Sequence, residues 1–96
     1  MKVRFTEAAV RDLMNLHAYV SHENPIAAGR LLDRIVDLAE MQLAAFPNSG
    51  RQGRSPNTRE LVISGTPYIV AYRVLADEVQ ILAVIHGSRR WPENFE

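Results

Sequence analysis

Val3 and Phe5 alternate with Lys2 and Arg4 at the start of the chain, a period of two that predicts a short strand from Lys2 to Phe5. The period then lengthens. Ala9, Leu13, Leu16 and Val20 recur at the spacing of one helical face, while Arg11, Asp12 and Asn15 lie off it. Thr6 is placed to cap this helix and Glu7 falls in its first turn, so the helix is expected to run from there to about Ser21. Asn24-Pro25 restarts the pattern, because it sets a capping side chain before a proline at the first helical position. The second helix is predicted from Pro25 to about Phe46. Its apolar stripe is Ala28, Leu31, Leu32, Ile35, Leu38, Ala39, Leu43 and Phe46, broken by Gln42. So short a break between two amphipathic helices predicts an antiparallel helical hairpin.

Pro47-Asn48-Ser49-Gly50 stops the second helix, and a loop rich in Gly, Arg, Ser and Pro follows to about Thr58. Strand-like runs come next: Glu60 to Ile63, Tyr68 to Leu75 and Val79 to His86. Ser64-Gly65 and Ala76-Asp77-Glu78 are the turns between them. Tight turns make these runs an antiparallel meander, and their near-continuous hydrophobicity means that much of the sheet is covered. The order is β-α-α-β-β-β. The fold class is α+β, a single small domain over residues 1–96 with an antiparallel sheet packed against the helical hairpin. No repeat or linker interrupts it.

Composition narrows the function classes. The chain has 96 residues, 47% hydrophobic and 23% charged, in the range of an ordinary soluble domain. With no cysteine, disulfides and thiolate metal sites are excluded. The amino-terminal stretch MKVRFTEAAVRDL has no signal-peptide apolar run, and no window reaches the roughly 20 apolar residues of a membrane span. A cytoplasmic protein with no membrane contact is the expectation. Formal net charge is zero, which argues against a protein that coats DNA by neutralising phosphates. Ten of the eleven basic residues are Arg, the residue suited to bidentate or partly buried contacts. Three of them, Arg51, Arg54 and Arg59, lie in a stretch without acids, and Arg89-Arg90 form a second cluster. Each cluster reads equally as solvated surface or as a partner contact. The three His share no metal-ligand spacing, so neither metal nor cofactor is expected.

Several segments resemble a known family. Asn24-Pro25 with Ala27-Ala28, Phe46-Pro47 followed by Gly50-Arg51-Gln52-Gly53-Arg54, and Thr58-Arg59-Glu60-Leu61-Val62 followed by Gly65-Thr66-Pro67-Tyr68-Ile69-Val70-Ala71-Tyr72-Arg73-Val74 resemble the RelE/ParE toxins in order and spacing. Val79 to His86 with Arg89-Arg90-Trp91-Pro92 resembles their last strand and tail. The likeness is strongest to the ParE branch. It implies a type II toxin that inhibits DNA gyrase by protein binding and is neutralised by a ParD-like antitoxin. Contact with operator DNA would be indirect, through that antitoxin.

The RelE branch cleaves messenger RNA instead. Such cleavage needs a base for the 2′-hydroxyl, a cation for the phosphate and an acid for the leaving group. Matching Tyr72 and Val74 to the family pattern places Ile69 where that branch carries an Arg, and Ile cannot hold a phosphate. The tail Trp91-Pro92-Glu93-Asn94-Phe95-Glu96 contains no Tyr or His. These departures favour the gyrase-inhibiting branch, with no catalytic residue expected. A nuclease would rely on His86 with Arg89 or Arg90. A third reading is a non-toxic member that only binds antitoxin.

Candidate gyrase contacts are Arg59, Arg73, His86, Arg89, Arg90 and Trp91. Arg73 also reads as a solvent-facing Arg with its stem on the sheet, and His86 as a strand-end His hydrogen-bonded to backbone. Trp91 reads as partly buried beside an exposed Arg pair. Candidate antitoxin contacts are Tyr19, Arg30, Arg34 and Asp37 on the hairpin and Arg51 and Arg54 near the sheet edge, with Arg59 beside them. The resemblance implies an antitoxin segment that folds as it binds, using apolar anchors and charges.

Overall fold

Thr6 turns the chain from strand to helix. In the computed structural model, which describes residues 1–88, strand β1 (Lys2–Phe5) leads through Thr6 into helix α1 (Glu7–Glu23). The Thr6 hydroxyl accepts from the Ala9 N–H at 3.3 Å and donates to the Ile81 carbonyl at 2.7 Å. One side chain thus caps the helix and ties its start to the last strand. Ala9, Leu13 and Leu16 are buried, as their spacing requires. Asn24 serves both helices. Its N–H donates to the Val20 carbonyl, closing α1, and its Oδ1 accepts from the Ala27 N–H at 3.1 Å, opening α2 (Pro25–Ala45). Ala28, Ile35, Ala39 and Leu43 of α2 are buried.

The remaining strands are β2 (Arg51–Gln52), β3 (Arg59–Val62), β4 (Tyr68–Val74) and β5 (Glu78–His86). They form one sheet in the order β1-β5-β4-β3-β2. The expected meander of β3, β4 and β5 is present and antiparallel. The sheet as a whole is mixed, however, because β1 pairs parallel to β5, Lys2 with Glu78 through Phe5 with Ile81. The expected all-antiparallel sheet is corrected on this point. The two helices carry the chain to β2 at the far edge, and the meander then brings β5 back beside β1, so no local pattern announces that pairing. The fifth strand, β2, was also not expected. Arg51 and Gln52 are both exposed and carry no alternation; they are a strand only because they pair with Glu60 and Arg59.

The core lies between the helices and one sheet face. Ile35, Leu43, Tyr72, Val70, Ile63, Val79 and Ile81 are its largest fully buried side chains. Tyr68, Val70 and Tyr72 face this core, so Ile69, Ala71 and Arg73 face the other way, as alternation demands. In β5 the register shifts: Ala71 pairs with Ala83, but Tyr72 pairs with Ile81. Leu82 is the extra residue of a bulge, which keeps both Ile81 and Val84 on the core side.

Beyond the end of β1, the outer edge of β5 would leave its Val84 N–H unpaired. Asp12 of α1 fills the gap: its Oδ2 accepts from that N–H at 3.0 Å. Burial pushes the Asp12 carboxyl above its ordinary 3.8, against the lowering pull of the Val84 N–H and Arg11. A carboxyl whose pKa is higher folded than unfolded takes up proton on folding. Its contribution to stability therefore falls as pH climbs through a window that begins near 3.8 and ends at the raised value. Asp12→Asn keeps an acceptor for Val84 and is expected to flatten this pH dependence. Asp12→Ala orphans the N–H and is expected to cost about 1–2 kcal/mol. Urea midpoints of both variants from acid to neutral pH check the pair, and a slope unchanged in Asp12→Asn would refute it.

Candidate functional site

The arginine-rich loop is organised around one carboxylate. Glu60 of β3 is 3% exposed. Its Oε1 accepts from Arg51 Nε at 3.2 Å and Nη2 at 3.0 Å, and its Oε2 accepts from the Arg54 N–H at 3.0 Å, with Arg54 Nε at 3.7 Å. Arg51 and Arg54, expected as antitoxin contacts, thus first fasten the loop, although their side chains stay more than half exposed. Arg59 does the same on the other sheet face. Its Nη1 donates to the Gly50 carbonyl at 2.8 Å and the Asn48 carbonyl at 3.2 Å. Under it, the buried Tyr72 hydroxyl accepts from the Gly50 N–H at 2.9 Å. Burial raises the pKa of that hydroxyl above 10.0, against the pull of the Gly50 N–H and Arg59.

Polar side chains also run across the outer face of the sheet. Arg73 is exposed and donates from Nε to Gln80 Oε1 at 2.8 Å. Gln80 Nε2 donates to Glu78 Oε2 at 2.9 Å, and Arg4 Nε donates to the same oxygen at 3.0 Å. These two donors hold the Glu78 carboxyl below its ordinary range. On the same face Ala71 and Ala83 lie in line with Glu60, and Ile69 lies beyond them, away from the ladder; all three are buried. Ile69 itself is 8% exposed, so the position where a nuclease cation was sought is a packed apolar one.

His86 sits apart from these cations. It pairs with Tyr68 across β4 and β5, and its ring stands edge-on to the Tyr68 ring at 5.4 Å. Nδ1 accepts from the Ser88 N–H at 3.2 Å, and the Ser88 hydroxyl lies 2.8 Å from the same nitrogen. The expected hydrogen bond to backbone is present. Arg73 lies five residues along β4 from Tyr68 and on the opposite sheet face, a separation of about 17 Å along the strand. Arg59 pairs with Tyr72, four residues along, which is about 13 Å. Neither Arg73 nor Arg59 therefore joins His86 in one centre. Arg89, Arg90 and Trp91 lie outside the described residues.

The hairpin supplies a second surface. Arg30, Arg34 and Asp37 share the outer face of α2, and Tyr19 is exposed on α1. Arg34 is not free, since its Nε and Nη2 donate to the Ser64 carbonyl at 2.8 and 2.6 Å, clamping α2 to the β3–β4 turn. Reading the sequence alone missed Ile26 and Met41, which flank these charges and are 70% and 75% exposed. Both occupy positions i−4 and i+11 from Arg30, so helical spacing alone could have placed them on that face. Among the described residues no group of His, Asp or Glu could hold a metal ion, and no helix is long and apolar enough to cross a membrane.

Comparison with known proteins agrees with this geometry. Toxin Y4kP of Sinorhizobium fredii is 42% identical over 92 residues, covering 96% of this chain and 94% of that protein. Toxin RelE3 of Caulobacter vibrioides is 39% identical over 84 residues, covering 85% and 89%. Among solved structures, a chain of the chromosomal ParDE toxin–antitoxin system of P. aeruginosa superposes with a TM-score of 0.79 at 28% identity, covering 90% of this chain and 95% of that one. A chain of the RelBE2 toxin–antitoxin complex of Mycobacterium tuberculosis superposes with a TM-score of 0.64 at 32% identity, covering 88% of each. The family model of the ParE toxin of type II toxin–antitoxin systems matches residues 3–91, and with that match the chain belongs to the RelE/ParE superfamily as a toxin of the ParE family.

Proposed function

We propose that this toxin arrests growth in the cytoplasm by binding and inhibiting DNA gyrase, performs no covalent chemistry itself, and is neutralised by a ParD-like antitoxin. The observation that carries this reading is Ile69. It is a packed apolar residue where phosphate cleavage would call for a cation, and His86 stands remote from Arg59 and Arg73. A transition state with developing negative charge gains nothing from a sec-butyl group. Arg73 and His86, with Arg89, Arg90 and Trp91, remain the candidate gyrase contacts. Tyr19, Arg30, Asp37, Arg51 and Arg54 remain antitoxin candidates, to which Ile26 and Met41 add apolar anchors. Arg59 is a candidate for either partner.

The test is to express the chain without its antitoxin, follow growth and cellular mRNA, and incubate the purified protein with gyrase and supercoiled DNA. Arrested growth with trapped gyrase–DNA cleavage complexes and intact message is the expected result. Rapid cuts in translated mRNA would instead establish the ribonuclease reading, and unimpaired growth would establish a non-toxic antitoxin binder.

A further inference from the structure

A cleft of about 410 Å³ opens on the helix-side face of the sheet, beside the turn that follows α2. Asn48, Gln52, Asn57, Thr58, Arg59 and Val74 line it. Gln52 and Arg59 are cross-strand partners of β2 and β3, and Arg59 pairs in turn with Tyr72 of β4. Arg59 is the single ionisable side chain of the lining, which contains three carboxamides and no acid.

The state of that arginine defines what the cleft can take. Both hydrogen bonds of Arg59 leave from Nη1, to the Asn48 and Gly50 carbonyls. Those bonds fix the plane of the guanidinium. Among the described residues, the edge formed by Nε and Nη2 has no acceptor. This edge presents two parallel N–H groups, the geometry that matches the two oxygens of a carboxylate. Because the guanidinium is already held, little side-chain entropy is lost when an acceptor arrives. The carboxamides around it can hydrogen-bond a peptide backbone on either side of the incoming group. A single cation in a chain of zero net charge suits one carboxylate better than a run of nucleic-acid phosphates.

We propose that this cleft receives an Asp or Glu side chain of the antitoxin, gripped side-on by Arg59. The inference rests on the antitoxin partnership above and assigns Arg59 to that partner. The choice of the antitoxin as the source follows from the family to which the chain belongs and from the cleft's lack of any negative charge to oppose an acid.

The decisive variant is Gln52→Glu. It sets a carboxylate beside Arg59 from the neighbouring strand, occupying the free edge while leaving the Asn48 and Gly50 bonds in place. Toxin and the antitoxin encoded beside it are co-expressed, separated by denaturation, refolded, and titrated calorimetrically at two salt concentrations. Gln52→Glu is expected to weaken binding about tenfold, with the melting temperature of the free toxin unchanged or higher, and to reduce the salt dependence of binding. A second variant, Arg59→Lys, keeps the charge but loses the planar fork and is expected to weaken binding by a similar factor. Wild-type binding with Gln52→Glu equally tight would overturn the cleft assignment while leaving the antitoxin partnership intact. Failure of the wild type itself to bind would overturn both. Competition by millimolar inorganic phosphate that Gln52→Glu abolishes, with antitoxin affinity unchanged, would reassign the cleft to a phosphate and so also overturn it.

Discussion

Gly50→Ala is expected to cost the fold about 3 kcal/mol, the scale of severe overpacking. A Cβ at Gly50 would stand 2.6 Å from the Tyr72 hydroxyl, 2.7 Å from its ring and 2.8 Å from the Glu60 carbonyl. Tyr72 is fully buried and cannot swing aside, and the Glu60 carbonyl is backbone. The clash would also break the 2.9 Å bond from the Gly50 N–H to the Tyr72 hydroxyl. Relief requires the chain after α2 to move off the sheet, which removes β2 and the seat of Arg59. Gly29 is the internal control, because a Cβ there meets nothing within 4 Å and the residue lies inside α2. Gly29→Ala should stabilise by about 0.5–1 kcal/mol through helix propensity. Opposite signs for the same chemical change, read as shifts of the denaturant midpoint, are the expected outcome. A Gly50→Ala protein as stable as wild type would show that the turn does not approach Tyr72 as closely as described.

Glu60→Ala is the second large loss. The substitution strips Arg51 and the Arg54 N–H of their acceptor and leaves a gap at a position that is 3% exposed. Removing one partner of a fully buried ion pair costs about 3–5 kcal/mol. Both arginines are more than half exposed, so water compensates part of the loss and about 2–3 kcal/mol is the expected value here. Glu60→Gln keeps one acceptor oxygen and should lose roughly half as much. The damage is also expected to be local: amide exchange should accelerate from residue 50 to residue 58 before the core of β4 and β5 opens. Uniform acceleration across the chain would mean that Glu60 supports the whole sheet and not the loop.

These two residues explain why the arginine cluster looked like a partner surface. In the sequence, Arg51, Arg54 and Arg59 stand in a stretch without acids, and Glu60 follows immediately as a member of an apolar run. Only the pairing of Arg51 with Glu60 across β2 and β3 brings the acid to the two arginines. The same holds for Arg34, whose acceptor Ser64 lies 30 residues away. Charge clusters are legible in a sequence, but whether a charge is already satisfied depends on what folds against it.

Hydrophobic period, with local cap and turn residues, determined the helical hairpin with its Asn24-Pro25 junction, the three-strand meander and the face of β4 on which Ile69 and Arg73 lie. Each of these is set within a few residues by repeating backbone geometry, so near neighbours suffice to write them. The tertiary structure decided the parallel seat of β1 beside β5, the two-residue strand β2, the bulge at Leu82, the Asp12 acceptor for Val84 and the cleft around Arg59. Each of these joins groups whose relation is not periodic, 72 residues apart for Asp12 and Val84 and further still for Lys2 and Glu78. Their energy comes from satisfying one particular donor, acceptor or edge in space, and that requirement leaves no repeat in the chain to be read.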